Sequence, residues 1–128
     1  MLAIDDVEAS VRAARLAREQ FPQLRIFARA RNRQHAFALM DVGVTAVIRE
    51  TYASSLEMAA AVLEALGETP AAAREAVRRF RRHDEATLVA QYQVKEDEEK
   101  FRATTLAAAQ QLEKLFEADR SAAKVPDG

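Results

Sequence analysis

The chain has 128 residues, of which 49% are hydrophobic and 30% are charged, and its formal net charge at pH 7 is −1. This length favours one domain with a modest core, and the composition is that of a folded globular chain. The near-neutral charge argues against a nucleic-acid partner, and the absence of cysteine excludes disulfides and thiolate metal sites. No apolar run approaches the roughly 20 residues needed to span a bilayer, so a soluble chain is expected.

The first half of the chain alternates short apolar stretches with helical patterns. Strands are predicted over residues 1–4, 24–28 and 44–48. Helices are predicted over residues 7–21 and 33–42, and a third from a cap at Ser54 or Ser55 to residue 66, with Gly43 and Gly67 as stops. The alternation favours parallel strands, although a short apolar run can also be a buried helical turn, which leaves an all-helical fold open.

The second half is compatible with helix throughout. Thr69 is a predicted cap and Pro70 a first helical residue. One apolar stripe consists of Ala73, Val77, Phe80, Leu88 and Tyr92, and a charged block at residues 81–85 interrupts it. A second stripe consists of Phe101, Thr105, Ala108, Leu112 and Leu115 or Phe116. The acidic residues 96–99 mark the expected turn between the two stripes.

These patterns predict an α/β fold with a partial Rossmann-like, parallel, three-stranded sheet in residues 1–68. A long helical tail over residues 69–121 and a disordered terminus over residues 122–128 should follow. Three helices cannot cover both faces of such a sheet, so we expect the C-terminal half of a Rossmann-like domain. No G-x-G-x-x-G turn occurs, so no nucleotide cofactor is expected. The open edge and apolar tail predict a homodimer, and a compact monomer is the alternative.

Charged residues follow the predicted strands. The carboxyl ends of parallel strands meet at one rim, which should gather Asp5, Arg29, Arg31, Arg49 and Glu50. Arginines at such a rim suit a carboxylate or a phosphate, because the guanidinium group binds these anions bidentately. The alternative is a solvated network in which the arginines only pair with the neighbouring carboxylates.

The two histidines give no support to catalysis or to a metal site. Neither has metal-ligand spacing, and His35 is expected to be a surface or packing residue. His83 has no nucleophile in a suitable context, so the chain is not expected to be an enzyme. The basic run from Arg74 to Arg82 is expected to be a solvated helix face with pairs such as Glu75 to Arg79.

Eight short sequence words occur in a fixed order. They are Ala-Ile-Asp-Asp at 3–6, Phe-Pro at 21–22, Ala-Arg-Ala-Arg at 28–31, Gly-Val at 43–44, Arg-Glu-Thr at 49–51, Ala-Leu-Gly at 65–67, Ala-Arg-Glu-Ala at 73–76 and Phe-Arg-Arg-His-Asp at 80–84. In this order they resemble the cytosolic regulatory domain of the Kef family of glutathione-gated potassium-efflux antiporters. The C-terminal module of that family is of the RCK/KTN type.

The resemblance implies a Rossmann-like module that dimerises at the cytoplasmic face of a bacterial inner membrane, beneath an antiporter domain. It also implies that glutathione or its adducts are the ligand, that gating works by subunit rearrangement, and that an accessory oxidoreductase-like subunit is a further partner. The runner-up is a stand-alone adaptor that completes its sheet with another Rossmann half.

The resemblance implies a partial glutathione site. Arg49 carries over from the Arg-Glu-Thr word, Asn32 follows Ala-Arg-Ala-Arg where Asp is frequent, and Asp84 stands where some members have Asn. Arg29 and Arg31 of the rim suit the two carboxylates of glutathione. Because the rest of the family's site lies upstream of residue 1, this chain is expected to bind glutathione weakly or not at all.

Overall fold

The computed structural model describes residues 1–123, which contain five helices and two strands. In chain order they are α1 (Val7–Gln20), β1 (Phe27–Ala30), α2 (Arg33–Val42), β2 (Ala46–Arg49), α3 (Glu50–Ala65), α4 (Pro70–Gln93) and α5 (Glu98–Ala123). The chain divides into two compact units, Met1–Met58 and Ala59–Gly128. Within residues 1–123, no helix has both the length and the apolar character that crossing a membrane requires.

The sheet of the first unit is parallel, which confirms the prediction from the alternating pattern. Ala28 of β1 lies opposite Val47 of β2, and Ala30 lies opposite Arg49. The structure differs at the first predicted strand, because Leu2 makes only an isolated parallel bridge to Ala28. The chain leaves the sheet after this bridge since Asp6 already caps α1, its carboxylate accepting the Ala9 N–H at 2.7 Å.

Both remaining strands begin later than their apolar stretches. The predicted second strand starts at residue 24, but the Leu24 N–H donates to the Phe21 carbonyl at 2.9 Å and forms a turn. The Ile26 N–H donates to Thr45 Oγ1 at 3.0 Å instead of to a neighbouring strand. The ladder therefore opens at Phe27, and β2 extends to Arg49.

The helices α1 and α2 have the predicted limits to within about a residue, as expected from local capping. Asn32 Oδ1 accepts the His35 N–H at 2.9 Å and starts α2. Gly43 ends α2 in the left-handed conformation at φ 80°, where a residue without Cβ is favoured.

One face of the sheet is covered by α1 and α2, and this face forms the core. The buried cluster consists of Ala14, Ala28, Ala30, Ala36 and Leu39. Small side chains let the helices approach the strands closely. The opposite face carries Phe27 and Ile48, which are 43% and 63% exposed. The sheet of the first unit therefore has one covered face and one open face.

Helix α3 begins at Glu50, directly after β2, and not at the predicted serine cap. The hydroxyls of Ser54 and Ser55 donate to the carbonyls of Glu50 and Thr51, at 3.3 and 2.7 Å. Serine inside a helix bonds back to the preceding turn in this way. Ser54 and Ser55 are therefore interior residues of α3 and not N-caps.

The second unit contains the helical pair α4 and α5. Thr69 caps α4 as predicted, with its Oγ1 accepting the Ala72 N–H at 3.2 Å, and Pro70 is the first helical residue. Helix α4 runs without a break through the charged block at residues 81–85, and the turn at residues 94–97 lies close to the predicted place. A hydrogen bond joins Gln91 to Thr105 (3.0 Å) and an ion pair joins Arg79 to Asp119 (2.7 Å), so the helices run antiparallel.

The half-buried stripe of α5 matches the predicted one except at one position, where Thr104 takes the place of Thr105. It consists of Phe101, Thr104, Ala108, Leu112 and Leu115, whereas Thr105 and Phe116 are exposed. Of the terminus predicted to be disordered, residues 122 and 123 belong to α5, and residues 124–128 lie outside the described residues. The predicted boundary after residue 68 stays a prediction.

Candidate functional site

The carboxyl end of the sheet brings two loops side by side. Strand β1 ends at Ala30 and β2 ends at its register partner Arg49. The segment after β1 carries Arg31 and Asn32, and the chain after β2 enters α3 at Glu50. The predicted rim residues therefore do share this end of the first unit.

Arg29 is held by carboxylates on both sides. Its guanidinium group donates to Asp5 Oδ1 at 2.5 Å and lies 3.3 Å from Glu50 Oε2. It also donates to the Ala3 carbonyl at 3.2 Å. For Arg29 the structure therefore matches the alternative of a partly solvated ion-pair network.

Arg49 has a different environment. Its guanidinium carbon lies 4.0 Å from the centroid of the Tyr52 ring, which is one turn into α3, and both side chains are half-buried. Stacking on an aromatic face orients the guanidinium plane and adds a cation–π attraction. The Tyr52 ring thereby orients the guanidinium group of Arg49.

Strand alternation separates the two arginines. Arg49 shares the face of its register partner Ala30, which belongs to the covered core face. Arg29 lies one residue before Ala30 and shares the open face with its own register partner Ile48, because successive side chains point to opposite faces. The single arginine cluster predicted from the sequence is thus two separate groups.

Beneath the loop after β1 lies a buried histidine that the sequence predicts only as a surface or packing residue. His35 is 1% exposed, and its Nδ1 accepts the Arg31 backbone N–H at 3.1 Å. Its Nε2 lies 3.1 Å from the hydroxyl of Ser10 on α1, which is fully buried. Since Nδ1 accepts, the proton of the neutral ring is assigned to Nε2, which donates to Ser10.

Burial lowers the pKa of His35 from its ordinary 6.5, and the positive charge of Arg31 lowers it further. The exposed Asn32 is the N-cap of the same helix turn. The first turn of α2 is therefore held by two side chains, one from Asn32 and one from His35. A histidine three residues after an N-cap asparagine is the signal that could have indicated this arrangement.

Asp84, the remaining predicted ligand residue, is half-buried on α4 in the second unit. The pairing predicted along this basic helix is partly wrong. Arg79 pairs with Asp119 of α5, and Glu75 instead accepts from Arg82 at 3.3 Å and lies 3.5 Å from Arg78. The hydrogen bond from Arg82 is the main cause that lowers the pKa of Glu75.

A parallel α/β unit with arginines at the carboxyl end of its strands, continued by a helical pair, is a Rossmann-like arrangement. Residues 54–127 match the family described as the potassium efflux system KefB C-terminal domain, and residues 1–50 match the TrkA-N domain. The chain therefore belongs to the KefB C-terminal domain family, which confirms the Kef-type RCK/KTN resemblance.

Two relatives place the chain more closely. It is 38% identical over 101 residues to the glutathione-regulated potassium-efflux system protein KefC of Escherichia fergusonii, an alignment that covers 79% of this chain and 16% of the relative. A Shewanella denitrificans Kef CTD in AMP bound form matches with a TM-score of 0.67 and 34% identity, over 73% of this chain and 57% of that chain. The chain thus spans a small part of the KefC relative.

Proposed function

We propose that the chain is a non-catalytic regulatory module of a potassium efflux system, which senses glutathione or its adducts and acts on a membrane antiporter domain. Ligand state would be converted into a rearrangement between paired subunits at the cytoplasmic face of the membrane. Membership of the KefB C-terminal domain family and the likeness to a glutathione-regulated KefC protein support this function.

The observation that carries the proposal is the oriented guanidinium of Arg49 at the carboxyl end of β2. Glutathione has two carboxylates, and an arginine fork binds a carboxylate through two charge-assisted hydrogen bonds. The Tyr52 ring at 4.0 Å holds this fork, and the Arg31–Asn32 loop follows the register partner of Arg49. We assign ligand contact to Arg49, Arg31 and Asn32, and a supporting role to Arg29, whose charge is balanced by Asp5 and Glu50.

The family resemblance gives Asp84, which belongs to the second unit, a ligand role that its charge makes unfavourable. A carboxylate repels an anionic ligand unless a cation neutralises it, and glutathione is an anion at neutral pH. Asp84→Asn should therefore strengthen glutathione binding, and unchanged binding would contradict a ligand role for Asp84.

Nucleotide binding is not part of the proposed function of this chain. The related Shewanella domain is in AMP bound form. The three glycines of this chain, however, stand at positions 43, 67 and 128, too far apart for a phosphate-binding turn.

Dimerisation is proposed to involve the α4–α5 pair. Val89, Leu106 and Phe116 are 47%, 62% and 48% exposed on these helices. Exposed apolar side chains of this size favour burial against a second copy, in which a symmetric interface would pair like surfaces. Sedimentation equilibrium should give twice the mass of the chain, and a monomer at all accessible concentrations would contradict the dimer.

The direct test places Arg49→Ala in a potassium efflux protein that carries this chain as its C-terminal domain. Glutathione control of potassium efflux should be lost, whereas Arg29→Ala, which removes a charge already balanced, should retain it. Unchanged control in Arg49→Ala would refute the assigned role. Titration calorimetry on the 128-residue chain should show glutathione binding weaker than micromolar.

A second candidate is an adaptor that completes its sheet with a Rossmann half supplied by another protein. The open face with exposed Phe27 and Ile48 favours it. The genomic reading frame upstream separates the two hypotheses, because a transporter with a glycine-rich turn in the same frame supports the regulatory module and a stop codon supports the adaptor.

A further inference from the structure

The buried ring of His35 holds the loop that carries two of the proposed ligand residues. Its Nδ1 accepts the Arg31 N–H, while its own backbone N–H donates to Asn32 Oδ1. The His35 ring thus holds the backbone of Arg31, and the Asn32 side chain holds the backbone of His35. Removing either bond would free the backbone on which the Arg31 and Asn32 side chains are presented.

The hydrogen bond from Arg31 requires a particular state of the ring. Nδ1 can accept only while it is unprotonated, and a protonated imidazole would point a second N–H at the Arg31 N–H. From α1 the ring faces the neutral hydroxyl of Ser10. The charged group acting on it is Arg31, which disfavours a second positive charge.

We propose that His35 is a positioning residue for the anion-binding loop, and that protonation of its ring releases Arg31 and Asn32 from their binding geometry. The ligand assignment rests on the proposed function, whereas the holding of the loop does not. Release follows protonation of the ring in the folded chain, so it is centred at the lowered pKa of His35, below 6.5.

The proposal predicts that anion affinity falls on acidification, whereas simple electrostatics predicts that it rises. A protonated His35 adds positive charge near the loop, which alone would strengthen binding of an anion. Release of the loop instead weakens binding on acidification. The two mechanisms are therefore separated by the direction of the pH dependence.

The first arm of the test measures hydrogen exchange of the Arg31 amide by NMR on the whole chain, near pH 7.5 and at an acidic pH where the NMR titration of the His35 ring shows it protonated, corrected for intrinsic exchange. Wild type should lose about fivefold of its protection in acid, the equivalent of one net hydrogen bond. His35→Asn places an oxygen where Nδ1 lies and should stay protected at both pH values. His35→Leu should be unprotected at both, and His83→Asn should behave as wild type.

An internal reference keeps this arm decisive if a variant folds poorly. The Ala36 amide, which donates to the Asn32 carbonyl at 3.0 Å, should keep its protection in wild type at both pH values. Equal loss at Ala36 and Arg31 would mean that the helix start unfolds and would overturn the proposal. Unchanged protection of Arg31 in acid would overturn it as well.

The second arm titrates the same samples with glutathione and follows the Arg31 and Asn32 amides. Affinity should fall about fivefold in acid for wild type and stay constant for His35→Asn. An affinity that rises in acid would overturn the proposal in favour of simple electrostatics. Absence of glutathione binding near pH 7.5, together with acid-dependent release of Arg31, would instead refute the ligand and sustain the role of His35.

Discussion

The two faces of the small sheet use the same residue type in opposite ways. On the open face Arg29 lies between Asp5 and Glu50, so its charge is balanced within the chain. On the covered face Arg49 is stacked on Tyr52 and oriented by it. Position along the strand, and not residue type, therefore decides which face of the sheet an arginine occupies and which groups it meets there.

The covered face should also carry most of the stability of the first unit. Leu39 is fully buried in its core, and Leu39→Ala should reduce the free energy of unfolding by about 3 kcal/mol through lost burial and a residual cavity. Ile48→Ala on the open face should change it by less than about 0.5 kcal/mol. Urea unfolding followed by circular dichroism compares the two, and an equal loss in both would show that the open face is covered in solution.

Arg18, in the last turn of α1, makes a second polar contribution to the stability of the first unit. Its guanidinium group donates to the carbonyls of Pro22, Leu24 and Gly43, at 2.8, 3.1 and 2.6 Å. Arg18→Ala would leave three carbonyls to water and should reduce the free energy of unfolding by about 2 kcal/mol.

Arg15→Ala, on the exposed side of the same helix, is the matched control and should change unfolding by less than about 0.5 kcal/mol. The same urea titration measures both variants. A result for Arg18→Ala as small as that of the control would mean that the three hydrogen bonds contribute nothing net.

The buried His35 should make the free energy of unfolding depend on pH. Because the folded-state pKa of His35 lies below 6.5, the unfolded chain takes up a proton first as the pH falls. Stability should therefore decrease from about pH 6.5 down to the folded-state pKa, with a slope of at most about 1.4 kcal/mol per pH unit. In His35→Asn this part of the slope should disappear, and urea unfolding in steps of pH measures it. A slope as steep as that of wild type would assign the effect to other groups.

The smallest expected effect concerns the ring beneath Arg49. Tyr52→Ala should weaken glutathione binding about fivefold, since a partly desolvated cation–π contact contributes about 1 kcal/mol. Tyr52→Phe retains the aromatic face and should bind as wild type does. NMR titration detects affinities in this range, and equal binding by the alanine and phenylalanine variants would show that stacking does not orient Arg49.

The sequence predicts the parallel order, α1, α2, the Gly43 stop and the Thr69–Pro70 start, because these depend on local capping and hydrophobic period. It predicts the limits of the strands poorly, since the Ile26 N–H donates to the hydroxyl of Thr45, 19 residues away, and not to a neighbouring strand. The site was predicted as one rim because strand ends can be located only to within a residue or two. A shift of one residue moves a side chain to the other face of a sheet.

The buried partnership of His35 with Ser10 joins residues 25 positions apart in the chain. Sequence patterns relate only residues close together in the chain, so spacing alone could not predict this hydrogen bond. The predicted pair of Glu75 with Arg79 was wrong for the same reason, because Arg79 pairs with Asp119 of α5 and not with a residue of its own helix.

The most direct test of the account compares Arg49→Ala and Arg29→Ala in a glutathione titration of the 128-residue chain followed by NMR. Wild type should show shifts concentrated at residues 31, 32 and 49, Arg49→Ala should lose about tenfold or more in affinity, and Arg29→Ala should lose little. Equal losses in the two variants, or shifts centred on Asp5 and Glu50, would contradict the proposed ligand contact of Arg49 and supporting role of Arg29.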